Sequence, residues 1–142
     1  MAGFSIEWKC YNHFMRLILV KEIVSIGITV SLFHFFALKL FLYWTTDWFD
    51  ILMHFLGGAL IGLIVISFIQ RLHNGKEVLN KRLLSISVIL AVVAIGLSWE
   101  LWELFVGFTD VLSDRTDTII DLIMDLIGGT SAIIYYYFKH TN

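Results

Sequence analysis

The sequence has no proline, a single cysteine and few charges. Without proline, no helix is obliged to kink around a missing backbone N–H. Cys10 stands alone, which excludes an intrachain disulfide and any cysteine-based metal site. Asp, Glu, Lys and Arg make up 15% of the 142 residues, against about 25% in an ordinary soluble domain. There is no basic run of the kind that tracks nucleic acid, and the net charge is -2. The run LILV at 17–20 is short and meets Lys21 and Glu22 at once, so no cleavable signal peptide is expected. Gly3 lies one place too late for myristoylation. What fills the chain instead is apolar: 58% hydrophobic residues and a mean hydropathy of +0.82. That balance points to a membrane protein anchored by its own segments.

A membrane span needs roughly 20 mainly apolar residues. Four windows qualify: 24–43, 49–70, 84–106 and 117–138. Polar punctuation separates them: Thr45-Thr46-Asp47, then RLHNGKEVLNKR at 71–82, then GFTDVLSDR at 107–115. Single strands cannot cross lipid and the alternation of a barrel is absent, so the expected class is all-α, a polytopic four-helix membrane bundle. Residues 24–139 form its one transmembrane domain, with a tail at 140–142. Residues 1–23 mix Phe, Ile, Trp and Leu with basic residues. They read as a cytoplasmic interfacial amphipathic helix or as an extension of span 1.

Lys and Arg set the direction. Lys9, Arg16, Lys21, Arg71, Lys76, Lys81, Arg82 and Lys139 fall on one side of a four-span chain, while Lys39 and Arg115 fall towards the other. Both termini are therefore expected in the cytoplasm. Trp44, Trp48, Trp99 and Trp102 then mark the outer interface. Tyr135, Tyr136 and Tyr137 mark the inner one, and they and the Phe-rich span 1 read as belt and lipid-facing residues.

The carboxylates had no part in that assignment, yet Asp50, Glu100, Glu103, Asp117, Asp121 and Asp125 all come out in the outer half. The inner half carries nothing comparable. Unpaired ions in a low-dielectric bundle cost several kcal/mol each, so the cluster needs protons, metal ions or water.

Two stretches of that level resemble each other: DILMHFLGGA at 50–59 and DLIMDLIGGT at 121–130. Both begin spans that enter from the outer side, which suggests two parallel two-helix repeats about an axis along the membrane normal. In that arrangement Asp50 pairs with Asp121 and His54 with Asp125. Gly57-Gly58 and Gly128-Gly129 lie one turn deeper, where backbones can approach closely. The likeness fades outside the two stretches, and coincidence is the alternative.

Asp50, His54, Asp121 and Asp125 have the composition of a metal site. His and carboxylate at i, i+4 share a helix face, and oxygen ligands with one His suit Zn, Mn or Fe. Glu100 and Glu103 form a third wall. The bland reading is a proton-sharing network that keeps the helices in register. Glu103 reads equally well as a wet interfacial residue beside Trp102. Asp117 reads as the N-cap of span 4, and Asp110 and Asp114 as solvated loop charges. His34 reads first as a structural histidine, although its depth would let it join the site.

At these residues the chain resembles the YjdF-like bacterial inner-membrane proteins, a family of unknown activity. The likeness spans roughly 50–129. It rests on Asp50-x3-His54-x2-Gly57, on the Glu within Trp99-Glu100-Leu-Trp-Glu103, and on Asp117-Thr118-x2-Asp121 followed by Gly128. The resemblance implies a bacterial inner membrane and one shared polar unit. It supplies no reaction.

The expected function is a small intramembrane metal-dependent hydrolase acting on a lipid or lipid-linked substrate from the outer leaflet. Asp50, His54, Asp121 and Asp125 would hold a divalent ion. Glu100 would act as general base towards activated water, with Glu103 beside it. Arg115 would meet an anionic head group at the mouth. No Ser or Cys nucleophile motif offers an alternative attacker. The competing readings are a cation or proton transport element, which would require a homo-oligomer, and a structural subunit of a membrane assembly.

Overall fold

A computed structural model describes residues 2–73, 80–107 and 115–141, with side chains at 19–46, 48–73, 80–107 and 116–139. The described residues are helical and contain no strand. They form α1 (Ala2–Leu40), the single turn α2 (Leu42–Thr45), α3 (Asp47–Leu72), α4 (Lys81–Val106) and α5 (Arg115–Thr141). Four of these carry stretches long and apolar enough to cross a membrane: Leu19–Leu40, Trp48–Leu72, Lys81–Val106 and Thr116–Lys139. The chain is thus an all-α four-helix membrane bundle.

The helix ends follow from local chemistry. α1 runs through the basic-aromatic N-terminal segment without a break, so that segment's backbone extends the first span. It stops three residues earlier than the expected 43, because Phe41 takes a left-handed conformation at φ 57°. That conformation crowds Cβ against the next carbonyl. The Phe41 carbonyl in turn accepts from the amides of Trp44 and Thr45 and from the Thr45 hydroxyl, which closes α2. Asn80 caps α4, its side chain accepting from the Arg82 amide at 3.1 Å. Gly107 ends α4 at φ 76°, a value glycine adopts freely. α5 already begins at Arg115, which corrects the reading of Asp117 as an N-cap: Asp117 lies inside the first turn. Asp110 and Asp114 lie outside the described residues.

α3 is the hub. It packs along α5 and also meets α1 and α4, while α4 and α5 pack on each other. Lipid provides no hydrophobic drive between helices, so contact rests on close backbone approach. A Cβ on Gly58 would collide with the Asp125 backbone. One on Gly128 would collide with the Phe55 carbonyl and lie 2.7 Å from the Ala59 nitrogen. A Cβ on Gly62 would come within 2.8 Å of Ala132 Cβ. Gly57 takes no part in the crossing. Its Cβ position is 4.0 Å from Asp125 Oδ1, on the side of the polar cluster.

Two apolar clusters bracket the bundle. The larger joins Leu19, Leu63, Ile66, Leu84, Val88, Val92, Ala132 and Ile133 towards the Lys81 end. The smaller joins Ala37, Phe49 and Met53 towards the Trp48 end. Tyr136 is buried in the larger cluster, with the Gln70 amide donating to its hydroxyl at 2.9 Å. This corrects the expectation that all three tyrosines are belt and lipid-facing residues. Its neighbours have polar partners as well. Tyr135 donates to Glu22 at 2.8 Å and Tyr137 to the Lys81 carbonyl at 2.6 Å. Phe33, Phe35 and Phe36 do point outwards.

Candidate metal centre

Between the two apolar clusters lie His54, Glu100, Asp121 and Asp125, with relative exposures of 7%, 6%, 2% and 4%. Three helices deliver them. α3 places Asp50 and His54 one turn apart. α5 places Asp121 and Asp125 one turn apart on the face that meets α3. α4 brings Glu100 from the side. The helix crossing fixes the level, because the backbone contact at Gly58 is made by Asp125 itself and holds the start of that side chain beside His54. Gly96 on α4 leaves room for the other end. A Cβ there would sit 2.5 Å from Asp125 Oδ2.

The two nitrogens of His54 face different partners. Nδ1 lies 3.4 Å from Asp125 Oδ2. Nε2 lies 3.8 Å from Asp50 Oδ1 and 4.0 Å from Glu100 Oε1. Asp50, His54 and Asp121 each offer one ligand atom, and those atoms lie within 4.8 Å of one another. Two ligands held about 2.1 Å from one ion are roughly 3–4 Å apart, so these three groups have nearly the spacing an ion requires. The Nδ1 side has the arrangement of a carboxylate that orients a metal-bound histidine. Asp125 Oδ2 thus faces the opposite ring nitrogen from Asp50 and Glu100.

The electrostatics are unbalanced. Among the described residues, the ion pairs of these acids involve His54 alone. Glu100 Oε1, Asp121 Oδ1 and Asp125 Oδ2 are buried without a hydrogen-bond partner. Buried polar atoms in native proteins are almost always satisfied, and an orphaned carboxylate oxygen calls for a proton, a water or an ion. Thr118 reaches the Glu100 carboxylate and supplies part of the balance.

A cavity of about 320 Å³ adjoins the cluster. Asp50, His54 and Asp125 line it on one side, and His34, Tyr43, Trp99 and Glu103 on another. Glu103 is thus a half-buried wall residue, its Oε1 accepting from Trp99 Nε1 at 2.8 Å. His34 shares a 2.8 Å hydrogen bond between its Nδ1 and the Tyr43 hydroxyl, and its ring meets the edge of Trp99. Burial, with Asp50 and Glu103 nearby, pushes the Tyr43 phenol up to about 12. Asp117 is exposed, and the Arg115 side chain lies outside the described residues. Sequence reasoning missed Gly96, Tyr43 and Thr118. For Gly96 the available signal was a small residue one helical turn before Glu100.

Fold and cluster together define a class: a four-helix membrane bundle with a buried carboxylate–histidine group at one end. The chain belongs to the family described as predicted membrane protein (DUF2238), whose model matches residues 8–142. That match extends well beyond residues 50–129. No curated protein and no solved structure matches the chain.

Proposed function

We propose that the cluster binds a divalent cation and that the protein is an intramembrane hydrolase of a lipid or lipid-linked substrate. The observation that carries this reading is the set of three buried carboxylate oxygens without a hydrogen-bond partner, two of them within 4.0 Å of a His54 nitrogen. Asp50, His54 through Nε2, and Asp121 are the ligands. Asp125 orients the ring through Nδ1. A bound divalent ion supplies Lewis acidity and lowers the pKa of a coordinated water.

Glu100, with Oε1 4.0 Å from His54 Nε2, would serve as the general base of the reaction. Glu103 faces the adjoining cavity and can pass a proton to a leaving group there. Arg115, the first residue of α5, belongs to the same end and would attract an anionic head group. The Lys and Arg distribution favours both termini in the cytoplasm of a bacterial inner membrane, with the cluster opening towards the outer leaflet.

The transport reading is weaker. Among the described residues, the layer of Leu63, Ile66, Val88, Val92, Ala132 and Ile133 separates the cluster from the buried polar groups of Ser67, Gln70 and Tyr136 nearer the opposite end. The test is hydrolysis in isotope-labelled water. Protein stripped with chelator and reloaded with Zn, Mn or Fe is mixed with phosphatidylglycerol or polyprenyl diphosphate vesicles. Labelled oxygen should enter the product only when metal is present, and Glu100→Gln should retain metal while losing turnover. Metal-loaded protein that transfers no labelled oxygen to either substrate would sink the hydrolase reading.

A further inference from the structure

Among the described residues, the backbones of α1 and α4 do not approach closely, and His34 and Trp99 meet across the space between them. The 320 Å³ cavity fills that gap: Val30, Ser31 and His34 come from α1, and Ile95, Gly96, Trp99 and Glu103 from α4. Met53, Gly57 and Ile61 of α3 close its back. Ser31, Ile95 and Trp99 are themselves exposed on the outside of the bundle, so the gap reaches the surface that faces lipid. This is a side opening within the depth of the bilayer.

The lining is graded along the membrane normal. Val30, Ile61 and Ile95 lie at the deep end. His34, Tyr43, Asp50 and Glu103 lie at the shallow end, in the same direction on all three helices. A lipid of the leaflet on that side has the same grading, with its chain inwards and its head at the level of the cluster. The volume is at the small end for ligand sites, enough for one chain segment and a linkage but not for a whole two-chain lipid. The His34–Tyr43 pair completes the shallow wall. The hydrogen bond between His34 Nδ1 and the Tyr43 hydroxyl occupies one ring nitrogen and leaves Nε2 for a polar atom of the occupant.

We propose that the gap between α1 and α4 is a lateral portal through which one apolar chain of a membrane amphiphile enters, setting its head linkage against the His54 cluster. This names the substrate class of the proposed hydrolase and rests on that reading for its catalytic meaning only. Occupancy of the portal requires no metal.

The experiment uses the full chain in phosphatidylcholine nanodiscs with a lysophosphatidylcholine carrying a diazirine midway along its single chain. Cross-links are mapped by mass spectrometry, and metal content is measured on the same samples. Cross-links should concentrate on Val30, Ile61 and Ile95. Excess unlabelled lysophosphatidylcholine should reduce them at least fivefold, and Ser31→Trp, which fills the opening, should do likewise without changing metal content. Cross-links spread evenly over the outer residues of α1, such as Ile28 and Phe35, would overturn the portal, and this outcome needs no variant to fold. Cross-links in the portal on protein that never holds metal would overturn the hydrolase and leave the portal standing. Metal without portal cross-links would do the reverse.

Discussion

His54 on α3 and Asp125 on α5 meet through Nδ1 and Oδ2 at 3.4 Å, on the side of the imidazole away from Asp50 and Glu100. The separation is a few tenths of an ångström beyond a formed hydrogen bond. On the proposed reading, Asp50 and Asp121 are ligands with Nε2, and Asp125 orients the ring from behind. Asp125→Asn keeps the shape but removes the charge that holds the ring. It should weaken divalent-metal affinity about 10–100-fold without abolishing it, as read by competition titration with a fluorescent chelator. Complete loss equal to that of Asp121→Asn would make Asp125 a ligand.

Gly96→Ala tests the same relationship from the opposite wall. The new methyl would press on Asp125 Oδ2 and on Leu122, both movable side chains. Helicity and thermal unfolding in detergent should therefore stay near wild type, while metal affinity falls about as far as in Asp125→Asn. Unchanged affinity would mean that the Asp125 carboxylate is not held in the observed place.

Gly58→Ala should behave differently, because its methyl meets the Asp125 backbone, which cannot step aside. Overpacking of this kind costs typically 1–3 kcal/mol, and the crossing of α3 and α5 should loosen with it. Gly27→Ala is the control. Nothing lies within 4 Å of its Cβ, and alanine in a helix interior is favoured by about 1 kcal/mol over glycine. Thermal unfolding of the two variants side by side should move in opposite directions.

The bundle itself was legible because hydropathy over about 20 residues reports on the bilayer, which acts on every residue alike. The level of the cluster was legible for the same reason: depth follows from residue number in a helix. What lay beyond reach depends on side-chain direction between helices that are distant in sequence. Spacing put Asp121 and Asp125 on one face, but could not say that Asp125 meets His54 Nδ1 while Asp50 and Glu100 meet Nε2. Gly-Gly at 57–58 read as one contact, whereas a helical step of about 100° sends Gly58 into α5 and Gly57 towards the site. Tyr136 looked like an interfacial residue until its partner Gln70, 66 positions away, came into view. The early end of α1 was hidden too, since no propensity scale puts Phe41 in a left-handed turn.

Tyr43 gives a pH signature outside the spans. Its folded pKa is raised from 10 to about 12, so the neutral phenol is the form the fold favours. The stability this contributes is complete below pH 10 and is lost as pH rises towards 12. An ultraviolet titration of tyrosinate should show a late-ionising group near pH 12 that Tyr43→Phe removes. A profile that is the same in both proteins would contradict the burial of the phenol beside Asp50 and Glu103.

The central claim is that the buried oxygens around His54 are balanced by a metal ion, and elemental analysis of the purified protein tests it most directly. Wild type should carry a divalent transition metal in stoichiometric amount, and His54→Ala and Asp121→Asn should carry none while remaining helical. Metal-free wild type that stays folded and takes up no Zn, Mn or Fe when offered them would contradict the claim and leave a proton-sharing network in its place.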